Sequence, residues 1–103
     1  RHTLLSHLMI SAHDVATKAL SALLRRQPMS AAKVRFAWRS CVGVSIARAT
    51  AVRFDKSSGT LVVITDAEAW RQEVHRSIPV VSTRMNELLG RGTVKKITVE
   101  RRN

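Results

Sequence analysis

The sequence predicts an α+β domain of two layers, with helices packed on one face of a three-stranded sheet. Three observations predict it. Two early stretches carry apolar residues at helical spacing, two short β-branched runs follow around a four-residue turn, and a long helical stripe then leads into one alternating segment. The implied order is α-α-β-β-α-β. A chain of 103 residues has room for one such core, so a single domain is expected over 1–103, with an N-terminal helix (1–29) and a core (30–103).

From Leu8 to Gln27, the residues Leu8, Ala12, Val15, Ala16, Ala19, Leu20, Leu23 and Leu24 recur at three- and four-residue spacing, an amphipathic helix. Arg25 and Arg26 suit the negative end of its dipole, and Pro28 marks its end. Ser30 offers an N-cap for a second helix of about 12 residues that stops near Gly43. "TAVRFD" (50–55) and "TLVVIT" (60–65), joined by "KSSG", read as a β-hairpin. Asp66 is the expected N-cap of a third helix, whose residues Trp70, Val74, Ile78, Val81, Met85, Leu88 and Leu89 lie within about 100° of one another. That stripe keeps its phase across Pro79, which predicts a kinked helix or two nearly collinear ones. Gly90 and Gly92 close it, and Ile97 and Val99 then alternate with polar neighbours as a third strand.

Charge is distributed unevenly. The net charge is +11, and between Asp14 and Asp55 stand eight cations (Lys18, Arg25, Arg26, Lys33, Arg35, Arg39, Arg48, Arg53) with no acid, whereas nine cations meet six acids from Asp55 onward. A single-signed surface of this kind attracts polyanions. Nucleic acid and an acidic protein patch both fit. A membrane fits least, because no apolar run approaches the roughly 20 residues a span requires.

Enzymatic chemistry finds little support. The four histidines form no close ligand pair of the i, i+4 kind with a Glu, and Cys41 has no second cysteine for a metal or a disulfide. Cys41 falls on the apolar side of its helix, whereas reactive thiols need an electropositive, partly exposed setting. Carboxylates are scattered, and "GRG" at 90–92 ends a helix instead of opening one. No catalytic residue, metal or cofactor is assigned.

The second helix separates into two faces at about 100° per residue. With Lys33 at the origin, Ala37, Cys41, Val34, Trp38 and Val42 occupy about 40° to 180°, and Arg35, Arg39, Phe36, Ser40 and Lys33 fill the remainder. Trp38 therefore reads as a packing anchor. Trp70 opens the apolar stripe of the third helix and is expected in the core, partly covered. Phe36, flanked by Arg39 and Lys33, either stacks on a nucleobase or is covered by the first helix. Arg35 and Arg39 either hold phosphates or form a solvated face. The candidate nucleic-acid-binding set is Lys33, Arg35, Phe36, Arg39, Arg48 and Arg53.

"WRSCVGVSIARAT" (Trp38 to Thr50), "GTLVVITDAEAWRQEV" (Gly59 to Val74) and "MNELLGRGTVKKITVE" (Met85 to Glu100) resemble the DciA family of bacterial replicative-helicase loaders. The matching positions are Trp38, Gly43, Ala47, Thr50, Gly59, Leu61, Val63, Trp70, Asn86, Leu88 and Gly90, over about the last two-thirds of the chain. The resemblance implies a KH-like domain, cytoplasmic and nucleoid-associated, that binds single-stranded or forked DNA. It also implies contact with the hexameric DnaB-type helicase at replication initiation. No Gly-x-x-Gly loop occurs, so the backbone clamp of RNA-binding KH domains is not expected. The family often carries a flexible basic tail, and this chain stops at Asn103, so part of the affinity is expected to lie elsewhere. The same charge and element order also suit a KH-like RNA- or ribosome-associated factor, or a pure protein-interaction module.

Overall fold

The computed structural model describes residues 18–102. The stretch 8–17 of the first predicted helix lies outside the described residues. The remainder of that helix, α1, is helical over 18–26 and ends where Gln27 N donates to the Leu24 carbonyl, just before Pro28. Leu24 is buried, and Leu20 packs beside it against the core.

Helix α2 spans Ala31–Ala49, and Ser30 caps it by accepting from Lys33 N at 3.1 Å. The expected stop at Gly43 is instead a break. Gly43 adopts φ 85° and ψ 175°, a region essentially reserved for glycine, and the helix then resumes for residues 44–49. Contacts on both sides hold this break. Trp38 Nε1 donates to Thr50 Oγ1 at 2.9 Å, and Thr50 Oγ1 donates to the Ile46 carbonyl at 2.7 Å. Arg84 Nη1, from the third helix, reaches the Cys41 carbonyl at 3.4 Å, where the interrupted helix leaves acceptors short of partners.

Strands β1 (Thr50–Asp55) and β2 (Thr60–Thr65) form the predicted antiparallel hairpin. Its turn is tied by Asp55 Oδ1, which accepts from Ser57 N and Ser57 Oγ, bonds that hold the Asp55 carboxyl below its ordinary range. Helix α3 (Glu68–Leu89) crosses over the sheet and returns the chain as β3 (Lys96–Arg101), parallel to β2, giving the order β1-β2-β3. Gly59, at φ 71°, sits where the strands converge. Its carbonyl accepts from Lys95 N and Lys96 N, and a Cβ there would come 2.9 Å from Lys95 Cγ.

Helix α3 departs from expectation at its start and keeps it across its proline. Its N-cap is Ala67, which makes no side-chain capping bond, while Asp66 pairs with Arg102 Nε at 3.8 Å. The helix runs through Pro79 as one element. Pro79 and His75 are both exposed, so the carbonyl that loses its partner faces water. At the far end, Asn86 Nδ2 donates to the carbonyls of Ser82 and Val94, both at 3.0 Å, and Asn86 Oδ1 accepts from Val94 N at 2.8 Å.

Strand register sorts the sheet into two faces. Val52, Val63 and Val99 align across the strands, as do Phe54, Leu61 and Ile97, and this face joins Trp38, Val74, Val81 and Met85 in the core. Leu61 and Val63 are fully covered at its centre. The opposite face carries Arg53, Val62 and Thr98 in one row and Asp55, Thr60 and Lys96 in the next. The architecture is thus α+β in the predicted order, helices against one face of a mixed sheet.

Candidate nucleic-acid interface

The two sides of α2 decide what its cations can do. Val34, Ala37, Trp38 and Cys41 face inward, with Trp38 only 3% exposed, so the tryptophan anchors the helix to the sheet. Burial pushes the Cys41 thiol up to about 11, against a smaller downward pull from Arg84. It therefore stays a neutral packing group at physiological pH, without the thiolate that nucleophilic chemistry requires.

On the outer side Arg35, Arg39 and Ser40 are exposed, and Phe36 is 47% exposed. The described part of α1 therefore leaves the Phe36 ring open. Among the described residues, neither Arg35 nor Arg39 takes part in an ion pair, since the pairs seen there are Arg71–Glu68, Arg76–Glu73 and Arg102–Asp66. An exposed aromatic ring beside arginines on consecutive turns can stack on a base while the guanidinium groups hold flanking phosphates.

The other candidates lie apart from this trio. Lys33 is buried, 7% exposed, and its Nζ donates to the Gln27 carbonyl at 2.8 Å. Its ammonium closes the α1–α2 turn. Arg53, exposed on the outer face of the sheet, borders a cavity with Lys56, Met29, Val34 and Phe54. Arg48 is exposed in the last turn of α2 and borders a smaller cavity with Asp66 and Arg102. Lys56, from the hairpin turn, lines the same cavity as Arg53.

No cluster of three His, Cys, Asp or Glu side chains suited to a metal occurs among the described residues, and no helix there is long and apolar enough to cross a membrane.

A family model described as "Dna[CI] antecedent, DciA" matches residues 11–99, nearly the whole chain. The chain belongs to the DciA family. It is also 33% identical over 73 residues to the UPF0232 protein SCO3875 of Streptomyces coelicolor, an alignment covering 70% of this chain and 38% of that protein. The match thus spans well under half the length of that curated relative. Of the positions that carry the family resemblance, Gly43 forms the α2 break, Trp38 and Thr50 hydrogen-bond across it, and Asn86 fixes the α3 exit. Their roles are architectural, which separates them from the candidate contact residues.

Proposed function

We propose that this chain is a non-enzymatic, DNA-binding accessory protein that helps bring the DnaB-type replicative helicase onto single-stranded DNA. Membership of the DciA family supports the helicase half of the reading. One observation carries the DNA half: the outer face of α2 presents Arg35, Phe36 and Arg39, exposed and outside the ion pairs of the described residues. Arg53 and Arg48 add exposed cations apart from this trio, on the sheet and at the end of α2, while Lys33 donates to the Gln27 carbonyl in the α1–α2 turn.

Phosphate contacts alone do not distinguish strands, but a stacked ring does, because duplex bases hide their faces. Phe36→Ala is expected to remove about 1–3 kcal/mol from single-strand binding and much less from duplex binding. Fluorescence anisotropy on matched single-stranded and duplex oligonucleotides measures the difference, and equal losses would rule out stacking. Retention of a purified helicase hexamer by the immobilised chain, with and without single-stranded DNA, tests the loader role. A chain that prefers structured RNA to DNA in competition, or that binds helicase with no measurable nucleic-acid affinity, refutes the reading.

A further inference from the structure

The segment of α2 beyond its break carries apolar surface that the fold leaves open. Val44 is 63% exposed. With Val42, Ile46, Ala69, Trp70 and Glu73 it borders a groove of about 580 Å³ between the break and the first turns of α3. In an uninterrupted helix Val44 would fall at about 20° on the wheel, beside buried Ala37 at about 40°. The break at Gly43 turns it outward instead. Val44 is one of four large hydrophobic side chains exposed among the described residues, and an apolar surface rimmed by polar groups is a candidate contact surface.

Electrostatics separate this groove from the outer face of α2. Among the described residues, Glu73 is the one charged side chain that lines the groove, and it is ion-paired to Arg76. A polyanion meets balanced charge there and gains nothing. Glu73 binds Arg76 through Oε2 while its side chain remains half-exposed, which leaves carboxylate acceptor capacity at the groove for a second cation.

We infer that this groove is a protein-docking site for a segment that inserts one bulky aliphatic or aromatic side chain against Val44 and Trp70 and sets a lysine or arginine beside Glu73. The identity of the partner rests on the loader reading, which makes it a subunit of the replicative helicase. Helix α2 then carries two surfaces: a polyanion-binding face at Arg35, Phe36 and Arg39 before Gly43, and a protein-binding face at Val44 and Ile46 beyond it.

The test measures helicase hexamer binding to the immobilised 103-residue chain by biolayer interferometry. Val44→Glu, which would bury a charge in the contact, is expected to weaken binding at least roughly tenfold. Its melting temperature should stay at the wild-type value, and its single-strand DNA affinity should fall no further than in Arg48→Ala, the cation one turn on. Val80→Glu, at a site 56% exposed on α3 and outside the groove, is expected to bind helicase normally. Glu73→Lys should also weaken helicase binding, and wild-type affinity in that variant overturns the assigned cation. Undiminished binding by Val44→Glu, or an equal loss in Val80→Glu, overturns the groove as the docking site. Conversion of a dimer to a monomer by Val44→Glu, with helicase binding intact, makes a second copy the occupant and overturns it too. If the wild-type chain itself fails to bind helicase, the loader reading falls and the named occupant falls with it.

Discussion

Asn86 uses both ends of its amide at the exit of α3: Oδ1 accepts from Val94 N, while Nδ2 donates to the carbonyls of Val94 and Ser82. Val94 is only 3% exposed, so water cannot readily replace that partner. Asn86→Ala leaves a buried N–H and carbonyl without their bonds and should cost about 2–4 kcal/mol. Asn86→Asp keeps the acceptor for Val94 N but opposes a carboxylate to two carbonyls, and should recover little. Urea unfolding midpoints check both, and a loss below about 1 kcal/mol for the alanine variant would mean that the loop is held elsewhere. In the sequence, Asn86 stood out only through the family resemblance, because nothing in local propensity distinguishes a clamp from a surface amide. Trp38 was legible from helical phase alone. Lys33 was not, because it sits at the edge of the apolar arc, and its burial depends on where the carbonyl of Gln27 lies, a contact between elements.

At the scale of the element, α2 exposes the limit of local signals. A glycine after a helical run reads as a terminus, and the same residue also serves a helix that breaks and resumes. Contacts between elements favour the break: Thr50 of β1 bonds Trp38 and the Ile46 carbonyl on either side of Gly43, and Arg84 of α3 reaches the Cys41 carbonyl. The hairpin needed no such help, since β-branched runs and turn residues fix its ends locally, and Thr50–Asp55 and Thr60–Thr65 fall at the predicted positions. The start of α3 differs from the predicted cap because Asp66, a good capping residue by type, pairs its carboxylate with Arg102 instead. For Gly43, the space where a Cβ would stand is open, so any cost of substitution comes from the backbone. Gly43→Ala is expected to lose about 1–3 kcal/mol. Relief of that strain by a continuous helix would carry Val44 toward the core side, so helicase binding should fall further than stability explains. Chemical denaturation beside the interferometry assay separates the two effects. Unchanged stability would show that the backbone at this position is not constrained.

Across the whole molecule, the excess of positive charge is less informative than its pairing. Arg71, Arg76 and Arg102 each face an acid, whereas Arg35, Arg39, Arg48 and Arg53 make no ion pair among the described residues. The sequence showed the acid-free run from 15 to 54, and the fold distributes it over the outer side of α2 and the edge of the sheet, with Lys33 withdrawn. Four exposed cations neutralising about four phosphates imply a slope of log affinity against log salt of about −3 on single-stranded DNA. Arg35→Ala with Arg39→Ala should bring that slope to about −1.5, because two fewer counterions are released on binding. Arg71→Ala with Arg76→Ala removes the same formal charge from groups already matched by Glu68 and Glu73, and is expected to leave the slope near its original value. Anisotropy titrations from about 50 to 200 mM salt resolve the three proteins. If both pairs lower the slope equally, net charge alone governs binding and the α2 face loses its special status. If the wild-type slope is flat, phosphate contacts contribute nothing, and the polyanion surface assigned to α2 does not exist.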